Sequence, residues 1–212
     1  MWRRNGLSFV LLALMAVFLA AQALTGWRVH NEELAQHGAR ALGFLSYLST
    51  GHFSSATFEN WESEFLQMGM YVLLTVRLRQ WGSAESRPLD PLQEKPRIEP
   101  GASPWPVRKG GLWRSLYDHS LAIVFFMLFA MSFTLHALGS WRAKCDEQSL
   151  QGGEPPAFLD HLFSSDFWFE SMQNWQSEFL AVLALVVLTI FLRQKDSPQS
   201  KPVEAPHTQT GD

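Results

Sequence analysis

Residues 60–67 read NWESEFLQ and residues 174–181 read NWQSEFLA, so a nearly identical polar octad leads into an apolar stretch twice, 114 positions apart. Extended outward from the octad, residues 7–88 align without a gap with residues 121–202, with 29 identities in 82 positions. Self-similarity at one fixed offset over this length indicates a tandem repeat. We therefore interpret the chain as a duplicated unit.

The first apolar segment of each copy predicts a membrane-crossing helix. Residues 7–24 and 120–138 contain no charged side chain, and their 18 and 19 residues approach the roughly 20 needed to cross a bilayer. Arg3, Arg4 and the cleavage-like triplet at 21–23 would also suit a secretory signal. The matching internal segment cannot be a signal peptide, which favours the membrane span.

The second apolar segment of each copy, 58–78 or 172–192, has 21 residues but begins among carboxylates. Charged groups within a span are costly, whereas Leu, Ile, Phe and Val favour insertion. Segment 172–192 has many such residues, and segment 58–78 has fewer. We expect the latter to depend on packing against its neighbours.

These segments predict an all-α fold, a four-helix transmembrane bundle of two tandem two-helix repeats in parallel orientation. The repeats occupy residues 1–80 and 115–194. Between them lies a Pro-rich cytoplasmic linker, 81–114, and a disordered cytoplasmic tail follows at 195–212.

The basic residues predict the orientation. Of the 17 Lys and Arg, 13 lie before the first span, in residues 77–114 or after the last span, and 4 lie in the other two connections. Because cytoplasmic loops are enriched in Lys and Arg, we expect both termini on the cytoplasmic side of the membrane.

Composition and motifs exclude several classes of function. The net charge of -3 does not suit a nucleic-acid binder, and the single Cys145 excludes a disulfide framework. No nucleophile elbow, phosphate-binding glycine loop or HExxH motif is present, so neither an enzyme nor a cofactor is expected. His30, His37 and His52 lie near Glu33, but their spacing fits no zinc signature, and no metal is predicted.

The duplicated octad supplies the candidate site, a polar layer near the outer face of the bundle. Asn60, Ser63 and Glu64 share one helical face, and the second copy repeats it. Polar groups entering hydrocarbon must face protein or water, so we expect these to point into the bundle. Gln22 and His136, matched at the same offset, lie at a similar depth. The predicted layer comprises Gln22, Asn60, Ser63, Glu64, His136, Asn174, Ser177 and Glu178.

Several sequence elements outside the apolar segments resemble a known family. They are Thr25-Gly26-Trp27, Asn31-Glu32-Glu33, Thr50-Gly51-His52-Phe53, the octad at 60–67 with the preceding Glu59, and Gly82-Ser83-Ala84-Glu85-Ser86. Together they are similar to a domain-of-unknown-function family of small bacterial integral membrane proteins. The resemblance implies a membrane protein and brings no activity, ligand or catalytic residue.

We expect a non-enzymatic structural or accessory membrane module whose partner is the lipid bilayer, with homo-oligomerisation left open. In one interpretation the polar layer fixes the packing of the helices. In the alternative the protein is a small transporter or channel in which Glu64 and Glu178 bind protons or cations. A second alternative is a membrane redox or metal protein using His136 and the outer histidines.

Overall fold

The computed structural model describes residues 2–90 and 98–211, and every regular element in these ranges is a helix. The all-α prediction is therefore confirmed for the described chain. Its helices are α1 (Trp2–Gln36), α2 (Phe44–Tyr47), α3 (Gly51–Arg77), α4 (Trp105–Lys109), α5 (Gly111–Asp118), α6 (Ser120–Leu150), α7 (Phe158–Leu162) and α8 (Ser165–Phe191).

Three of the long helices, α1, α6 and α8, are long and apolar enough to cross a membrane. Their apolar windows are mostly exposed within the chain itself. An exposed apolar surface of this extent is what lipid covers. Helix α3 has 27 residues but is not among the three, because Glu59, Glu62 and Glu64 lower its hydropathy. Its crossing stays a prediction.

Corresponding elements recur at the offset seen in the sequence. Helix α8 begins and ends 114 positions after α3, and α7 begins 114 positions after α2. The Arg79 guanidinium donates to the carbonyls of residues 75, 76 and 78, and the Arg193 guanidinium to those of 189, 190 and 192. Each arginine thus satisfies carbonyls that a helix C-terminus leaves without intrahelical partners.

The chain divides into two units. Unit 1 comprises Met1–Asn60 and Ser132–Glu170, and unit 2 comprises Trp61–Met131 and Ser171–Asp212. Each unit therefore contains chain from both predicted repeats. The division into repeats at 1–80 and 115–194 stays a prediction.

In unit 1, two glycines bring the start of α3 against α6. A Cβ added to Gly51 would lie 2.5 Å from the Ala143 nitrogen, and one added to Gly139 would lie 2.6 Å from the Ser55 nitrogen. Only glycine allows backbones to approach this closely. The crossing places the first turns of α3 beside the polar half of α6.

In unit 2, a carboxylate is buried between α3 and α8. Glu62 is fully buried, and its Oε1 accepts hydrogen bonds from Ser171 Oγ at 3.0 Å and Trp175 Nε1 at 3.2 Å. Further along the same helices, Gln67 Nε2 donates to the Glu178 carbonyl oxygen at 2.6 Å. These bonds satisfy polar groups that would be costly in hydrocarbon.

The C-terminal segment of unit 2 forms turns around a buried lysine. Lys201 Nζ donates to the carbonyl oxygens of Gly82, Gln209 (2.8 Å) and His207 (3.1 Å). Gly211 N also donates to the Ser83 carbonyl oxygen at 3.0 Å. The assignment of residues 195–212 as a disordered cytoplasmic tail stays a prediction. Residues 91–97, in the middle of the predicted linker, and Asp212 at the end of the predicted tail lie outside the described residues.

Candidate functional site

Unit 1 contains a cavity of about 970 Å³ formed by the ends of its long helices. Its walls come from the C-terminal parts of α1 and α6, the first turns of α3 and α8, and α7. They carry six carboxylates and four histidines, against the two basic side chains of Arg40 and Lys144. This surplus of carboxylates favours a cation over an anion.

The first of two ligand clusters in unit 1 consists of His30, Glu33 and His52. One possible metal-ligating atom from each lies within 4.8 Å of the others. His30 and Glu33 are three positions apart on α1 and so share a face. His52 comes from the second position of α3, and its ring centroid lies 5.0 Å from that of His30.

Nδ1 of His30 is buried and has no hydrogen-bond partner among the described residues. The nearest acid, Glu33 Oε2, is 3.6 Å away, too far for a hydrogen bond. A buried nitrogen without a partner costs free energy, so it marks a place where a ligand would be favourable.

Tyr47 holds the His52 ring in place. Its hydroxyl lies 3.1 Å from His52 Nδ1, and a Cβ at Gly26 would collide with that hydroxyl. Burial, assisted by the neighbouring His30, lowers the pKa of His52. A neutral imidazole with one nitrogen held by a hydroxyl is the usual state of a metal-binding histidine.

The second cluster consists of Glu59, His136 and Glu170, contributed by α3, α6 and α8. Possible ligand atoms of these three residues also lie within 4.8 Å of one another. His136 is fully buried, and its ring lies against Phe167 with centroids 4.9 Å apart. His136 Nε2 lies 3.5 Å from Glu170 Oε2.

A hydrogen-bond chain orients the carboxylate of Glu170. The Ser140 hydroxyl donates to Glu170 Oε2 at 3.2 Å, and His161 Nε2 lies 3.0 Å from Ser140 Oγ. Since the hydroxyl proton is used toward Glu170, His161 Nε2–H donates to Ser140. Burial lowers the pKa of His161, although the carboxylate of Glu170 acts in the opposite direction.

The predicted polar layer is distributed over both units. Unit 1 holds Gln22, Asn60 and His136, and unit 2 holds the other five residues. Gln22 Nε2 donates to Thr57 Oγ1 at 3.5 Å, and Asn60 is exposed, with Nδ2 donating to the Ala56 carbonyl oxygen at 2.9 Å. Of the unit 1 members, His136 alone belongs to a ligand cluster.

The unit 2 members of the layer are not buried as a set. Ser63 is buried, whereas Glu64 and Ser177 are exposed and Asn174 and Glu178 are intermediate. The fully buried carboxylate of the octad is Glu62, two positions before Glu64. The polar residues of α3 therefore extend beyond the single helical face that the spacing of Asn60, Ser63 and Glu64 predicts.

Sequence reasoning did not single out Glu33, Glu59, His161 or Glu170 as site residues. The spacing of His30 and Glu33 on one helix was a local signal. The remaining ligands come from other helices, which no spacing rule connects. Residues repeated at an offset of 114 positions do not include these ligands either. Glu170, for example, corresponds to Ala56.

The fold and cavity together define an all-α chain with helices apolar enough to span a membrane and a polar cavity in one unit. The chain belongs to the family described as "Domain of unknown function (DUF6766)", whose model matches residues 1–212, linker and tail included. This confirms the resemblance to a family of unknown function. A comparison with curated proteins finds no match, and neither does one with solved structures.

Proposed function

We propose that the protein is a non-enzymatic module of a bacterial inner membrane, a four-helix bundle of two tandem two-helix repeats. Both termini lie in the cytoplasm, and the cavity of unit 1 opens on the outer side. In this proposal the cavity is the functional site, and the membrane-spanning helices hold it at the membrane surface.

The matched closure of the two outer connections carries this proposal. Trp27 Nε1 donates to the Leu42 carbonyl oxygen at 2.7 Å, and Trp141 Nε1 donates to the Pro156 carbonyl oxygen at 2.9 Å. Donors and acceptors are both 114 positions apart. Each indole also meets a phenylalanine edge-on, at 5.9 Å for Phe44 and 5.7 Å for Phe158.

Two connections closed by the same contacts are what a duplicated hairpin entering the membrane twice from one side produces. Indole rings prefer the interface between hydrocarbon and water, so both pairs suit one outer boundary. The excess of Lys and Arg in the other three segments supports the same orientation. The absence of a catalytic motif in the sequence supports a non-enzymatic role.

Labelling of single cysteines in intact cells tests the topology, in a Cys145→Ser background. Ser46 and Ser103 are both exposed, and serine-to-cysteine changes are conservative at both. We expect Ser46→Cys to react with a membrane-impermeant maleimide and Ser103→Cys to react only after permeabilisation.

The same pair distinguishes four crossings from three. If α3 does not cross, residue 103 lies on the same side as residue 46, and both cysteines label in intact cells. That result would overturn the four-helix bundle. Labelling of Ser103→Cys alone would reverse the proposed orientation.

A further inference from the structure

We infer that unit 1 binds divalent first-row transition-metal ions, one at His30, Glu33 and His52 on the wall of the cavity and one at Glu59, His136 and Glu170, of which Glu59 and Glu170 line the cavity and His136 is buried. The inference adds a ligand class to the cavity on which the proposed function rests. It concerns unit 1 alone and holds whichever way the chain crosses the membrane.

Two distances inside the clusters support this assignment. His30 Nδ1 and Glu33 Oε2 are 3.6 Å apart, and His136 Nε2 and Glu170 Oε2 are 3.5 Å apart. Metal–ligand bonds of 2.0–2.2 Å give a tetrahedral site an edge of about 3.3–3.6 Å. Both His–Glu pairs therefore already have the separation that a shared metal ion requires.

The third ligand of each cluster lies within 4.8 Å of the other two. Two ligand atoms of one tetrahedral metal ion are about 3.3–3.6 Å apart, so the third ligand atom would have to move by about 1 Å. Rotation of a side chain supplies a movement of this size. His52 and Glu59 are both partly exposed.

The ligand types select the class of metal. Imidazole nitrogens with carboxylate oxygens suit zinc, iron, cobalt and manganese, whereas magnesium and calcium prefer oxygen ligands alone. Two histidines and one carboxylate form the first set, and one histidine and two carboxylates form the second. Tyr47 beside His52 and Ser140 beside Glu170 orient the ligands as outer-shell groups do in metal sites.

The second sequence repeat shows a cation in the corresponding arrangement. Positions 114 residues after the first cluster hold Lys144, Glu147 and Asp166. Lys144 Nζ lies 3.0 Å from Glu147 Oε2 and 3.9 Å from Asp166 Oδ2. There an ammonium group of the chain provides the positive charge, whereas the first cluster has an imidazole at the position of the lysine. A bound metal ion would provide the charge in the first cluster.

The experiment titrates Co²⁺ into the purified full-length chain in detergent, after removal of metal by a chelator. Equilibrium dialysis gives the stoichiometry, and the visible absorption of Co²⁺ reports its coordination. We expect two equivalents per chain. No bound Co²⁺ would overturn the inference.

Variants taken from the chain's own repeats test each centre. His30→Lys with His52→Asp gives the first cluster the residues of the second repeat, and His136→Gln gives the second cluster the residue found at Gln22. We expect each variant to bind one equivalent and their combination to bind none. His119→Lys, at an exposed histidine outside the cavity, is the control and keeps two.

If both cluster variants keep two equivalents, the metal lies elsewhere and the inference is wrong. A wild-type stoichiometry of one, lost in one variant only, overturns the other centre. If the variants do not fold, the wild-type protein still allows a test. Its histidines are modified with diethyl pyrocarbonate in the presence and absence of Zn²⁺. Zn²⁺ should protect His30 and His52, which are both partly exposed, but not His119, and equal modification of all three would refute the first centre.

These tests and the cysteine labelling fail independently. Metal binding in detergent does not depend on which side residue 46 faces. Labelling in cells does not depend on the ligand sets.

Discussion

The buried carboxylate of α3 gives the sharpest test of the described packing, because the octad offers a matched control two positions away. Glu62 is fully buried and accepts hydrogen bonds from Ser171 and Trp175, whereas Glu64 is exposed. Replacing Glu62 by methionine removes the carboxylate oxygen that accepts both hydrogen bonds and keeps a side chain of similar length. We expect Glu62→Met to destabilise the protein and Glu64→Met to change it little.

The magnitude follows from the two donors that lose their acceptor. Ser171 is fully buried, and leaving its hydroxyl unpaired costs about 1–3 kcal/mol. The indole of Trp175 is only partly buried, so its loss is closer to the net value of one hydrogen bond, about 0.5–1.5 kcal/mol. The sum is about 1.5–4.5 kcal/mol, or roughly 3–18 °C in apparent melting temperature for a chain of this length.

The assay is thermal unfolding in detergent, followed by tryptophan fluorescence, with Glu62→Gln as a third variant. Glutamine keeps an acceptor oxygen and should lose less stability than methionine. Equal melting temperatures for Glu62→Met and Glu64→Met would refute the assignment of Glu62 as the buried carboxylate. A larger loss at Glu64 would favour the face predicted from the sequence.

Two further predictions concern the packing of each unit. Gly139→Ala places a Cβ 2.6 Å from the Ser55 nitrogen and should lower the melting temperature by several degrees, whereas Gly43→Ala, with no atom within 4 Å and an ordinary φ of -69°, should leave it unchanged. Equal effects would contradict the helix crossing. In unit 2, Lys201→Met removes the donor that the surrounding carbonyls share, so proteinase K should trim the C-terminal segment several times faster than in wild type. Lys195→Met, at an exposed position, is the control, and equal trimming in both variants would show that Lys201 does not hold the tail.

The long helices were predictable because their signal is local. The absence of charge over residues 7–24 and 120–138 places two spans inside α1 and α6, and the start of α7 follows that of α2 by the repeat offset. Segment 58–78 ends one residue from the end of α3, at Arg77. In each case neighbouring residues determine the outcome, so one sequence is sufficient.

The burial of particular polar side chains was less predictable. Residues 59, 62 and 64 are all glutamate, and helical spacing alone permits more than one polar face. The neighbouring helix decides between them, since Ser171 and Trp175 meet Glu62. Contacts between residues more than 100 positions apart leave no mark in local periodicity.

The cavity shows why a search for symmetry found only part of the candidate site. Immediately after a duplication, corresponding positions of the two copies hold the same residue. A residue kept in both copies can serve packing equally well in each. A ligand set needs several particular side chains at one place only, so it arises where the copies differ. His30 faces Lys144 in the alignment, His52 faces Asp166 and Glu59 faces Gln173. The Trp contacts found in both copies therefore indicate how the chain is folded. The positions around the cavity that differ between the copies indicate which ligand it binds.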